Sequence, residues 1–421
     1  MRFEVFVASR LKLGSGGRKG SPSLNVALVG VVLAIVIMIL SLVIVLGFKN
    51  EITSKIYHLD SHIKISNAAI GMQEGAFDVV DSRDIFPVVE QYNDQHHVVA
   101  GMSLIAEKPA ILKTASDFKG IIYRGVDSNY DWAFLNDNMV QGRAPRVGTG
   151  SDDVNEIAMS KATAAQLGIK AGDKILTYFI DAQVKMRRCH VVGIFSTNFD
   201  NFDKSYIVGN IAQLQGVNNW GRNTGNYVGV DVNDLDQLEN TSLNLYSTLA
   251  TSTYIDGGNN ATLYATSHTH DNNIAFFSWL KMLDMNVVVI IVLMLIVSGF
   301  TLIAALLMIV LERISMVGLL KALGATNGSI RRIFIFLTHK LIFKALVLGN
   351  VIGIGLALIQ QHFHVIKLSP EAYYMPWVPI SIDVPLLIAL NVGIIAISYL
   401  TLVAPSYIIA TIKPTTSLHF E

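Results

Sequence analysis

"LLKALGATNGSIRR", Leu319–Arg332, lies between two strongly apolar stretches and interrupts both. Around it, Glu312–Leu323 places Ile314, Met316, Val317, Leu320 and Leu323 at helical spacing, with Arg313 and Lys321 among them. That pattern predicts a short helix. Gly324 stands where a left-handed residue ends such a helix. Thr326 or Asn327 can cap the next helix, which carries Arg331 and Arg332 into the following apolar run. A plain connector between membrane spans does not need this much helical patterning. A helix set off by a sharp turn suits the groove of a partner protein; the rival reading is packing on the membrane surface.

The flanking runs read as spans. Val26–Phe48 is 23 residues without a charge, roughly 35 Å of helix against a hydrocarbon core of about 30 Å. A cleaved signal peptide would have an apolar region of only about 7–15 residues, so this run predicts a retained anchor. Asn286–Leu311, Leu341–Ile359 (broken only by Lys344) and Pro385–Val403 follow. Asn350 and Asn391 fall inside the last two, where each is expected to hydrogen-bond a neighbouring helix for roughly 0.6–2 kcal/mol. Gly349 and Gly353 form a GxxxG that permits close helix approach.

Basic residues orient the chain. Arg10, Lys12, Arg18 and Lys19 precede the first span; Arg313, Lys321, Arg331, Arg332, Lys340 and Lys344 separate the second and third; Lys413 follows the fourth. The connection before the fourth span carries only Lys367. By the positive-inside rule the basic regions and both termini are cytosolic, and the large segment between spans one and two lies outside. Aromatics agree: Phe276, Phe277 and Trp279 precede span two, and Tyr373, Tyr374 and Trp377 precede span four, as in an outer interfacial belt. "RFEVFVASRLKL" at the N-terminus is amphipathic enough to lie on the cytosolic membrane surface. The fold class expected is a membrane protein with four transmembrane α-helices and a large extracytoplasmic α/β (α+β) domain inserted between helices one and two.

The outer segment mixes periods. "HIKIS" and "HVVGIF" read as strands, "MSKATAAQLGI" as a helix ending near Gly168, "AGDKI" as a return to strand, and "DVNDLDQLENTSLNLYSTL" as a capped helix. The chain has 421 residues and balances 32 basic against 32 acidic side chains, so nothing favours nucleic acid. A single cysteine, Cys189, excludes an intrachain disulfide. No GxxxxGK[ST], GxSxG, HExxH or CxxC occurs, so neither a P-loop ATPase nor a familiar hydrolase is encoded. The carboxylates of "NFDNFDKS" read as solvated turn residues. The pairs His268/His270 and His362/His364 read as solvated interfacial histidines; if each lay on a strand it could supply two metal ligands.

"ERISMVGLLKALGATNGSIRRIFI", Glu312–Ile335, resembles the segment after the second span in FtsX-type ABC transporter permeases, the group that includes MacB and the lipoprotein-releasing LolC and LolE. The layout of one span, a large outer domain and three spans is similar too. "EIAMSKATAAQLGIKAGDKI", "HVVGIFSTNFDNFDKSYIVGNIAQLQ", "SPEAYYMPWVPISID" and the terminal "TTSLHFE" resemble the LolC/LolE branch most, with His419 where arginine is more usual. The implied division is 1–24 cytosolic amphipathic N-terminus and linker, 25–48 first helix, 49–279 MacB-like periplasmic core domain and 280–311 second helix. Then come 312–333 coupling helix and turn, 334–360 third helix, 361–384 periplasmic connection, 385–408 fourth helix and 409–421 cytosolic C-terminus.

The resemblance implies a type VII ABC permease of a bacterial inner membrane, not itself an enzyme. It would work with a second permease subunit, identical or paralogous, and with a separate LolD-like ATPase that holds the ATP and magnesium. No cofactor is implied for this chain. Glu312, Arg313, Met316, Leu320, Lys321, Leu323, Gly324, Ala325 and Thr326 would meet the ATPase. In the Lol branch the cargo is a triacylated lipoprotein taken from membrane lipids and passed to a periplasmic carrier. Leu42, Val43, Leu46, Met282, Met285 and Val289 would line its apolar cavity. LolC carries an extended hook for the carrier; here the corresponding interval, Tyr178–His190, is short. It predicts a small hairpin with Lys185, Arg187 and Arg188 at or near its tip, either a dock for an acidic partner or lipid surface or an ordinary hairpin. The alternatives at the level of function are a MacB-like exporter, an FtsX-like regulator of wall hydrolases, or a membrane-anchored sensor.

Overall fold

A computed structural model of the chain describes residues 22–68, 79–147, 155–180, 183–256, 263–312 and 314–411. The expectations for the N-terminal amphipathic segment, for the last ten residues and for Arg313 lie outside these. In chain order come α1 (Pro22–Leu59), β1 (Ile63–Asn67), β2 (Val80–Asp81), α2 (Ser82–His96), β3 (Val99–Lys113), β4 (Phe118–Val126), β5 (Met139–Gly142), β6 (Glu156–Ser160), α3 (Lys161–Leu167), β7 (Lys174–Phe179) and β8 (Lys185–Phe195). Next are α4 (Asp200–Ser205), β9 (Tyr206–Asn210), α5 (Ile211–Asn218), β10 (Thr224–Gly225), β11 (Tyr227–Val232), α6 (Leu238–Asp256) and β12 (Tyr264–His268). The chain then runs through α7 (Ile274–Glu312), α8 (Ile314–Ala322), α9 (Asn327–Phe363) and α10 (Val384–Thr411). These elements form two compact units: Ile52–Phe277 with Leu368–Pro376, and the remaining helices.

The first unit is a mixed α+β domain. β12, β1, β11 and β3 pair in antiparallel order. The second half of β3 enters a different arrangement, because β3–β4–β9–β6–β8–β7 pair in turn and β7 pairs back with β3. That ring of ladders closes, so its six strands leave few free edges. Side chains of one parity fill its interior, among them Tyr123 and Phe179, both fully buried with rings 5.8 Å apart.

Local signals behave as their chemistry predicts. Ser160 caps α3 by accepting from Thr163 N, and Gly168 ends it in the left-handed region. Asp234 caps the turn that leads into α6 by accepting from Asp236 N. "NFDNFDKS" departs from expectation. It forms α4 and buries Asp203, whose carboxylate accepts from the Thr197 hydroxyl at 2.6 Å and from Thr197 N at 3.1 Å. Burial still pushes this carboxyl above its ordinary pKa. A solvated reading failed because a nearby threonine satisfies the group.

Among the described residues, three helices, most of whose length lies in the second unit, are long and apolar enough to cross a membrane: Leu28–Leu59, Ile274–Ala304 and Asn327–Phe363; Val384–Leu400 is a shorter apolar stretch. α1 is the central one, burying Val31, Ile35, Met38, Ile39, Leu42 and Val43. A Cβ built on Gly349 would lie 2.6 Å from Ile35 Cγ2, and one on Gly353 3.2 Å from Ile39 Cδ1. The GxxxG of α9 is therefore a seam against α1. Asn350 and Asn391 bond each other reciprocally at 2.7 and 3.0 Å, joining α9 to α10. Each amide spends its other N–H on the carbonyl four residues back, at 2.8 Å.

Candidate functional site

The segment between α7 and α9 resolves into an elbow. α8 ends in two nested bonds, Ala325 N to the Leu320 carbonyl at 2.9 Å and Gly324 N to the Lys321 carbonyl at 3.0 Å. With Gly324 at φ +88°, this is the Schellman ending, which a left-handed residue completes. Thr326 caps α9, its hydroxyl accepting from Ser329 N at 3.3 Å. Asn327, the other candidate cap, is already the first helical residue.

α8 sorts its apolar residues between two faces. Val317 is fully buried, and Met316, Leu320 and Ala325 pack partly against the helix core. Lys321 is half-buried. Leu319 and Leu323, four apart, are 57% and 76% exposed, and Gly324 and Thr326 are exposed beside them. The exposed surface here is thus Leu319 and Leu323 with the turn, while Met316, Leu320 and Ala325 pack on the bundle. Leu319 lies outside the expected contact set, and its spacing of four to Leu323 is the sequence signal that pairs their exposure. Glu312 closes α7.

The expected cavity residues divide in the same way. Leu42 and Val43 are buried and Leu46 half-buried within the helix core, so helix packing, not an open wall, accounts for them. Met282, Met285 and Val289 are exposed on α7. Their stripe continues through Val292, Ile296 and Phe300, and a groove of about 270 Å³ opens between this part of α7 and Ile397 of α10.

The three hairpin cations do not form one patch. β7 and β8 pair from Lys174 with His190 to Phe179 with Lys185. Strand alternation puts Lys185 and Arg187 on the face opposite Arg188. Lys185 Nζ donates to the Val217 carbonyl at the end of α5, and Arg188 is exposed. The tip itself exposes Ile180, Val184 and Met186.

The histidine pairs show no ligand arrangement. α-Helical backbone begins at Thr269, so His268 and His270 do not share a strand face. His270 lies against Phe277 and His364 against Trp377, with tilted rings whose centroids are 3.9 and 4.1 Å apart. Among the described residues no group of three or more histidine, cysteine or carboxylate side chains is placed to hold a metal.

The MacB-like periplasmic core domain model matches residues 26–244, and the FtsX-like permease C-terminal model matches residues 288–414. The lipoprotein-releasing system transmembrane protein LolC of Xylella fastidiosa is 21% identical, the match covering 94% of this chain and 93% of that protein. LolC of Neisseria meningitidis serogroup B is 20% identical, with 94% of each covered. Among solved structures, the extracellular domain of the noncanonic ABC-type transporter YknZ from Gram-positive bacteria aligns with 49% of this chain and 99% of its own, at 15% identity and TM-score 0.33. The periplasmic region of MacB from Actinobacillus actinomycetemcomitans aligns with 51% and 91%, at 11% identity and TM-score 0.32. The core-domain model alone spans more than half of the chain, the permease model takes up most of the remainder, and the protein belongs to the MacB/FtsX family of ABC transporter permeases.

Proposed function

We propose that this permease extracts triacylated lipoproteins from the outer leaflet of the inner membrane and releases them to a periplasmic carrier. The observation that carries the reading is the match to LolC proteins along 94% of the chain, outer domain and helices together. A separate ATPase would bind ATP and magnesium, and a second permease subunit, identical or paralogous, would complete the membrane part. The ATPase would grip Leu319, Leu323 and the Gly324 turn from the cytosol, and its closure would move the spans and with them the outer domain. Each methylene of a lipid anchor costs about 0.8 kcal/mol to remove from the bilayer, which is why extraction needs ATP. The exposed apolar stripe of α7, from Met282 to Phe300, supplies a surface that acyl chains or the second subunit would cover.

The test is reconstitution of the permease with its copurifying ATPase and a labelled lipoprotein in proteoliposomes. ATP-dependent release to a soluble carrier is expected. Steady ATP hydrolysis with the lipoprotein left in the bilayer would refute the reading and favour a MacB-like exporter or an FtsX-like regulator.

Gly324 provides a sharper check. Open space surrounds the place of its missing Cβ, so a substitution meets only backbone strain. Valine in the left-handed region costs on the order of 1–3 kcal/mol, whereas asparagine tolerates it. Gly324→Val should cut lipoprotein released per ATP several-fold with insertion unchanged, and Gly324→Asn should stay near wild type. A fully active valine variant would make the turn a mere connector.

A further inference from the structure

Lys55, near the end of α1, is 7% exposed in the outer unit. Its ammonium donates to the Tyr374 carbonyl at 2.7 Å and to the Thr197 carbonyl at 3.0 Å. These acceptors come from segments 319 and 142 residues away in sequence. One is the connection between α9 and α10; the other is the loop after β8. Tyr374 sits in the left-handed region at φ 61°, a strained position for a non-glycine residue. Rings reinforce the meeting. Phe199 lies 5.3 Å from both Tyr374 and Phe276, and Phe276 belongs to the first turn of α7. Tyr374 and Phe276 were expected in an interfacial belt, yet they pack on this loop.

A second clasp holds the far side of the same loop. Buried Arg124 donates to the Leu59 carbonyl at the end of α1 and to Glu107 at 2.7 Å. Its guanidinium lies 4.6 Å from the Tyr206 ring and 5.4 Å from that of Phe202. Arg124 ties this segment to the end of α1 and to β3, whereas the Lys55 ammonium also reaches the 368–376 connection, beside the Phe199–Tyr374 ring contact. Thr197 donates its N–H and hydroxyl to Asp203 and accepts from Lys55 at its carbonyl.

We infer that Lys55 is a positioning residue for transport: it pins the segment 197–206, which includes α4, and the 368–376 connection to α1 so that the three move as one body. The inference rests on the transport reading above. Two variants test it in the full-length permease in nanodiscs, with and without its ATPase. Lys55→Met removes both donations at similar size; Lys55→Arg retains donors. Hydrogen–deuterium exchange should rise on the order of tenfold in both segments together for Lys55→Met. Lys55→Arg should keep most of the protection. With the ATPase, Lys55→Met should release several-fold less lipoprotein per ATP while hydrolysis stays within about twofold. Exchange that rises in neither segment or in only one overturns the pin. So does unchanged release per ATP in a variant whose segments have loosened. A wild-type complex that never releases lipoprotein refutes the proposed function instead, and the exchange result then decides the pin by itself.

Discussion

Exchanging Leu319 and Leu323 together for aspartate should strip the ATPase from the permease while membrane insertion persists. The two side chains are mostly exposed, and Leu323, the residue after α8, sits one turn beyond Leu319 with its N–H on the Leu319 carbonyl at 3.0 Å. Covering a leucine is worth about 1.5–3 kcal/mol, so losing both would weaken docking by about a hundredfold or more, before any cost of burying the new carboxylates. Val317 and Leu320 are the controls. They face the helix core, so aspartate there should lower the amount of folded permease and not its affinity for the ATPase. The measurement is the ATPase-to-permease ratio after affinity purification in mild detergent. A double variant that retains the wild-type ratio would assign α8 to the membrane surface.

What was legible in the chain was mostly local. Gly324, Thr326, Gly168, Ser160 and Asp234 act through hydrogen bonds to residues a few positions away, and short spacings in sequence encode those bonds directly. The apolar runs were equally plain, because bilayer thickness sets their length. The facing of each side chain was not. A membrane helix is apolar on the lipid side and on the bundle side, so periodicity has no contrast from which to separate buried Val43 from exposed Val289. α8 shares the problem: Leu319, Leu320 and Leu323 are identical in type, and only the neighbouring helices decide which are covered. Closure of the outer ladder depends on β3 meeting β7 across some sixty residues, and the Lys55 clasp joins three distant segments. Neither leaves a trace in spacing. Asp203 was misread for the same reason, since its partners Thr197 N and Oγ1 had first to be brought around by the start of α4.

Gly349→Leu should separate α9 from α1 and lower the thermal stability of the permease by several degrees. The Cβ alone would lie 2.6 Å from Ile35 Cγ2 and 2.8 Å from Ile35 Cβ. Ile35 is fully buried on the central helix, and a β-branched side chain has few rotamers with which to retreat. The backbones must therefore move apart, at a cost of about 1–3 kcal/mol or more for overpacking. The damage extends past the clash. Asn350 is the next residue, and a shift of α9 pulls on its paired amide bonds to Asn391 of α10, which fit only in register. Gly355 lies further along the same helix with open space around its Cβ position, so Gly355→Leu keeps the helix-propensity gain without the collision and should be near neutral. Ile35→Ala leaves a void of its own, yet it should restore part of the loss in the Gly349→Leu background, because the two changes compete for one space. Thermal unfolding of the four variants in detergent decides the matter. Equal behaviour of Gly349→Leu and Gly355→Leu, or strict additivity with Ile35→Ala, would show that the α1–α9 seam does not depend on close approach at Gly349.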